Sequence, residues 1–193
     1  MLLWAIARAS AFVALGAYTI VVAWGIMLAG KAFRPAAPQV RFHRFVASLG
    51  LVAVVSHVVA LLGDHYAKVS WPMLFGVGAG PGTLLGAIAL WSIVALPLSF
   101  RIRRAKWISQ RLWRGFHYLG YAIWPLIVAD GLINGTDGAS PFAIAAYAGS
   151  TAIVAGCAVW RVTGAPGRTA QGPDRSGRGG RPAREAQRSR ARA

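Results

Sequence analysis

Acidic residues are scarce in this chain: five Asp and Glu stand against 21 Lys and Arg, a formal net charge of +16 over 193 residues. Charge of either sign is thin as well, at 13% of residues, where a soluble domain carries about 25%. An ordinary water-soluble globule is thereby set aside. A basic excess of this size often marks nucleic-acid binding. Here, however, the basic residues lie in clusters between long apolar runs, so no specific nucleic-acid partner is expected. Cysteine is nearly absent too. Cys157 stands alone inside an apolar run, which excludes a disulfide framework and any cysteine-built metal or iron–sulfur site. There is no GxGxxG, and the polar C-terminal stretch is too short to fold around FAD or NADPH.

What the chain does have is apolar length. Hydrophobic residues make up 56% of it, with a mean hydropathy of +0.50. A membrane-crossing helix needs about 20 mostly apolar residues, and five segments qualify: 3–28, 45–62, 83–100, 116–132 and 141–162. The first carries Arg8 and has no convincing cleavage site, so it reads as a retained helix rather than a signal peptide. The expected fold is all-α, a polytopic membrane bundle of about five helices over residues 1–163.

Basic residues set the expected orientation. Lys31, Arg34, Arg41 and Arg44 fall between the first and second helices. Arg101, Arg103, Arg104, Lys106, Arg111 and Arg114 fall between the third and fourth. The other loops hold Asp64, Lys68, Asp130 and Asp137. Positive-inside bias puts the two basic loops and the C-terminus in the cytoplasm and the N-terminus outside, as in a multi-pass protein of a bacterial plasma membrane. Trp107, Trp113 and Trp160 near one interface and Trp4 and Trp71 near the other fit an aromatic belt. Residues 164–193, rich in Gly, Pro, Ser and Arg, read as a disordered basic tail drawn to anionic lipid. The glycine-rich GVGAGPG at 76–82 precedes a membrane helix and reads as a turn, not a phosphate loop.

Four histidines carry what chemistry there is. His65 sits beside Asp64 in a loop and reads as a surface residue. His57 lies inside an apolar helix, where an ionisable group is costly and usually functional. His43 lies 14 residues earlier, at the start of the same helix. That spacing turns the helix by about 1400°, about 40° short of four turns, and separates the rings by about 21 Å on nearly one face. Helices two and four run the same way, so His117, near the start of helix four, lies at the depth of His43. The flanks match: RFHR brings Arg41 and Arg44, and RLWRGFH brings Arg111 and Arg114. Neutral imidazole is a common iron ligand, and arginines at this level suit haem propionates. His43 and His117 are therefore the candidate ligands of one haem, with Arg41, Arg44 and Arg114 as candidate propionate contacts.

The stretch from His43 to Asp137 resembles the ferric reductase-like transmembrane domain family. That family includes ferric reductases, the membrane parts of NADPH oxidases and the haem-binding subunit of a periplasmic methionine sulfoxide reductase system. The resembling residues are HRFVASLGLVAVVSH (43–57), the basic crossover RIRRAKWISQRLWRGFHYLGYAIWP (101–125) and the opening WAIARAS (4–10). The resemblance implies haem b held by paired histidines on two helices, and hence a membrane b-type cytochrome. Such a protein is the electron-transfer subunit of an oxidoreductase. It takes electrons from a separate flavoprotein or quinol and relays them toward an external acceptor such as ferric iron or an oxidised protein. The family commonly has a second histidine 13 or 14 residues after the one matching His117; this chain has Asp130 and Gly131 there. One haem is therefore expected, and a second on His57 needs another ligand, such as His65. Two other classes stand beside this one: a non-redox anchoring or assembly subunit on the same scaffold, and a transporter. Five helices without a repeated broken-helix pair give the transporter little support.

Overall fold

In lipid every backbone N–H and C=O must find its partner within the protein, which apolar runs achieve by forming helices. The computed structural model describes residues 1–30, 32, 37–138 and 140–164, and among these it is helical with no strand. The helices are α1 (Leu2–Ala29), α2 (Ala37–Gly63), α3 (Pro81–Arg104), α4 (Gln110–Tyr118), α5 (Gly120–Asn134) and α6 (Pro141–Thr163). A short 3₁₀ turn, Trp71–Phe75, lies between α2 and α3. Counting α4 and α5 as one interrupted span, five helices are long and apolar enough to cross a membrane. Met1–Arg161 form one compact unit; of the second, Val162–Ala193, only the end of α6 and Gly164 are described. The basic tail, from 165 on, and Lys31 and Arg34 lie outside the described residues.

Local chemistry sets the helix ends. Gly80 precedes Pro81, whose fixed φ and missing N–H suit the first position of α3. Ser109 caps α4 by accepting from the Leu112 N–H at 3.2 Å, and Ser140 caps α6 by accepting from Ala143 N–H at 3.2 Å. Arg101, Arg103 and Arg104 occupy the last turn of α3, where cations complement the helix dipole. The GVGAGPG stretch is a turn, as expected: Gly76 (φ 83°) closes the 3₁₀ helix and Gly78 (φ 71°) is also left-handed.

Two features depart from the apolar runs. α2 begins at Ala37, eight residues before the run at 45, because Pro38 is tolerated in a first turn and the long stems of Arg41 and Arg44 carry their charges outward. The fourth span, expected as one helix kinked at Pro125, is broken earlier, at Leu119. There Leu119 N–H bonds the Phe116 carbonyl (3.1 Å) and Ala122 N–H bonds the Leu119 carbonyl (2.9 Å), a tighter i→i+3 winding. Gly120, just past the break, lets α5 approach Leu96 of α3, whose Cδ1 would lie 3.1 Å from a Cβ there.

Neighbouring contacts define an up-and-down bundle. Leu3 of α1 meets Gly63 of α2 and Gly25 meets His43, so α1 and α2 are antiparallel. Gly86 faces Asp130 and Leu96 faces Gly120, so α3 and α5 are antiparallel as well. Phe12 packs on Phe142 (4.9 Å) and Thr19 bonds Ser150, which sets α6 parallel to α1. One end of the bundle therefore gathers the arginine-rich loops, and the other gathers Asp64, Asp130 and Asp137. The core joins Ala14, Tyr18, Ala53, Val54, Ile93 and Ile123. Small residues bring the first two helices close, as in membrane helix pairs: a Cβ on Gly50 would lie 2.8 Å from Tyr18 Cε2 and 3.3 Å from Ala17 Cβ. Gly50→Leu overpacks this seam. It is expected to destabilise the protein by about 1–3 kcal/mol, read as a lower thermal midpoint in detergent, and an unchanged midpoint would refute the close packing.

Candidate cofactor sites

At the arginine-rich end, His43 comes from the second turn of α2 and His117 from the last turn of α4. Their ring centroids lie 6.2 Å apart with the planes inclined at 66°. His43 is half-buried, and His117 is exposed on the flank of the isolated bundle. Trp113, one turn before His117 on the same helical face, stacks on its ring (5.0 Å, 21°) and so fixes its direction. Arg103 lies over the Trp113 ring at 4.7 Å and hydrogen-bonds Gln110. Arg44 lies over Phe100 at 4.9 Å. Arg41 and Arg114 are exposed at the same end. Four buried polar atoms at this end have no hydrogen-bond partner: Gln39 Oε1, His43 Nδ1, Arg103 Nε and Trp113 Nε1.

This donor set suits one kind of metal group. A protein-built zinc or iron site needs three or four side-chain ligands, and no such cluster of His, Cys, Asp or Glu occurs among the described residues. A haem brings four equatorial nitrogens of its own and asks the protein only for axial ligands. With imidazole–metal bonds of about 2 Å, the 6.2 Å between the centroids of His43 and His117 accommodates one ion between the two rings. The residues present fit a bis-histidine haem.

The opposite end is built differently. His57 of α2 places Nδ1 at 2.7 Å from the Ala7 carbonyl of α1. A carbonyl only accepts, so Nδ1 donates and the neutral ring offers Nε2 as an acceptor. His57 lines a cavity of about 530 Å³ together with Arg8, Asp130, Asn134, Asp137 and Tyr147. Asp130 accepts from Asn134 Nδ2 at 2.7 Å, one turn along α5, and lines the same cavity as His57. Arg8 and Asp137 form an ion pair of 2.5 Å beside them. His65, by contrast, is exposed beside an Asp64 that caps the Tyr66 N–H, and it does not line this cavity. The cavity thus holds one imidazole, not two. A larger space of about 640 Å³ along α3, walled by Ile88, Trp91, Leu96 and Phe116 among others, is a mainly apolar groove.

Sequence reasoning named His43, His57, His117 and the arginines, and it missed the residues that orient them. Trp113 and Asn134 were legible in principle, each one helical turn from a singled-out residue. Arg8, the lone charge of α1, and Tyr147, the lone phenol of α6, had the rarity of polar groups in a membrane helix as their signal. An ideal helix places Asp130 about 140° from His117; with α4 and α5 separated at Leu119, that phase no longer applies.

No protein-family model, curated protein or solved structure matches the chain. The fold therefore defines its class: an all-α bundle with five helices suited to crossing a membrane.

Proposed function

We propose that the protein is an integral membrane b-type cytochrome, with one haem b held between α2 and α4 by His43 and His117. The observation that carries this reading is the 6.2 Å approach of two imidazoles from separate helices, with Trp113 fixing one ring. When bound, the haem supplies reversible one-electron chemistry. The chain's own part would be to hold the iron through His43 and His117 and to present cations, Arg44 and Arg103 foremost and Arg41 and Arg114 beyond them, to the propionates. Electrons come from a separate flavoprotein or quinol and pass to an acceptor such as ferric iron or an oxidised protein, so the chain acts as the membrane subunit of an oxidoreductase. Reduced-minus-oxidised spectra of membranes overexpressing the chain are expected to show a b-type haem; colourless, fully folded protein would overturn the proposal.

The basic end is proposed to face the cytoplasm of a bacterial plasma membrane, the N-terminus lying outside. The segregation of Lys and Arg from Asp64, Asp130 and Asp137 supports this. Reporter fusions after Arg104 and after Asp137 should report cytoplasm and exterior respectively; the reverse result rejects the orientation.

A further inference from the structure

No histidine lines the groove of about 640 Å³ along α3, and its lining is apolar in a strict sense. Leu84, Ile88, Trp91, Ala95, Phe116 and Leu119 wall it. Its three side-chain donors are all spent inside the protein. Trp91 Nε1 donates to the Leu74 carbonyl, the Ser92 hydroxyl to the Ile88 carbonyl and the Ser99 hydroxyl to the Leu96 carbonyl, each at 2.7 Å. A polar group brought into the groove would find no donor, and burying one unmatched is costly. From Leu84 to Ser99 the groove follows about 22 Å of helix, more than the ~15 Å of one half of the hydrocarbon layer. One acyl chain of one leaflet has this length and this chemistry. Beyond Ser99, the groove's last α3 residue, the chain turns basic. Arg101 and Arg104 end α3, Lys106 follows in the connector, and Arg111 stands in the first turn of α4, five residues before Phe116. All four are exposed. The acids among the described residues, Asp64, Asp130 and Asp137, gather at the other end of the bundle, so none of them neutralises these cations.

We infer that this flank binds an anionic glycerophospholipid of the adjacent leaflet, one acyl chain lying in the α3 groove and the phosphate held by Arg101, Arg104, Lys106 and Arg111. The groove takes the chain because it offers nothing polar, and the cations at its end supply the charge that the headgroup lacks. A zwitterionic phospholipid would bring an ammonium group among four like charges and gain no net attraction. A second copy of this chain meets the same objection. Copies in one membrane share an orientation, so their basic ends would face each other at one depth. Arg44 and Arg103 are engaged with Phe100 and Trp113 and belong to the haem reading. The lipid site uses neither, and it stands independently of the haem.

Native mass spectrometry of the purified full-length protein in detergent tests the inference with four probes. They are dioleoylphosphatidylglycerol, dihexanoylphosphatidylglycerol, dioleoylphosphatidylethanolamine and oleate. The dioleoylphosphatidylglycerol should be retained at least tenfold more tightly than the phosphatidylethanolamine of the same chains, since each cation at a membrane surface contributes roughly fivefold. Replacing the four cations together (Arg101→Gln, Arg104→Gln, Lys106→Gln and Arg111→Gln) should bring that preference close to one. Removing as many charges from the C-terminal stretch (Arg184→Gln, Arg188→Gln, Arg190→Gln and Arg192→Gln) should leave it unchanged. Ala95→Trp, at an exposed position, fills the groove and should weaken retention of the dioleoyl lipid about tenfold. Two results on the native chain overturn the inference whatever the variants do. One is equal retention of the two dioleoyl lipids. The other is equal retention of the dihexanoyl and dioleoyl phosphatidylglycerols, which means that the headgroup binds without the groove. A preference lost in the C-terminal variant and kept in the connector variant overturns it in favour of diffuse attraction to the basic C-terminal stretch. Tighter retention of oleate overturns it in favour of a fatty-acid site, and a lipid-free dimer overturns it in favour of a second copy.

Discussion

Replacing His43 or His117 by alanine is expected to abolish the b-haem signal, while His65→Ala leaves it unchanged. In the proposed site the protein would supply the iron with two side-chain ligands only, and each histidine is one of them. His43 and His117 come from different helices, so neither can stand in for the other. Trp113→Leu removes the stack that orients His117 without touching the imidazole. It should keep the haem but shift its spectrum or midpoint potential, because ring orientation is a property of the outer shell. The experiment is a haem stoichiometry and redox titration on each purified variant. Full haem content in both single alanine variants would overturn the assignment.

Asp130→His should raise haem content from about one per chain toward two. The change puts a second imidazole into the cavity that His57 already lines, and it removes the carboxylate that bonds Asn134. Gly131→His is not an equivalent test, because a Cβ on Gly131 collides with the Tyr147 hydroxyl. Native protein that already holds two haems would refute the single-haem reading, and an Asp130→His protein with unchanged haem content would show that the cavity does not accept a macrocycle.

The spans were legible in the sequence because lipid makes a simple demand: an apolar run of sufficient length must be a helix. The run at 3–28 lies within α1 (Leu2–Ala29), and the run at 141–162 within α6 (Pro141–Thr163). Where polar residues extend a helix before the apolar run, as Arg41 and His43 do in α2, hydropathy begins it too late. The break at Leu119 had no such signal, since the proline lies six residues later, at Pro125. Beside it Gly120 faces the Leu96 side chain, a contact that is a property of two helices at once. The same holds for the sites. Equal depth on parallel helices brought His43 and His117 together on paper. The pairing of Arg8 with Asp137, however, joins residues far apart in the chain and has no periodic trace.

Thr19, Trp124 and Ser150 tie α1, α5 and α6 together midway along the bundle, and they do so in an order that synthesis imposes. The Thr19 hydroxyl donates to the Leu15 carbonyl (2.7 Å), so the 2.6 Å contact with Ser150 is donated by the serine. Trp124 Nε1 has only a donor to give; it reaches Thr19 at 3.2 Å and Ser150 at 2.8 Å. A chain elongating from its N-terminus makes Thr19 and Trp124 first. Until α6 is inserted, the indole can rest only on the longer of its two bonds. Ser150, 131 positions after Thr19, completes the cluster as the last helix docks. His43 and His117 have by then both been made, so their approach does not wait for the last helix.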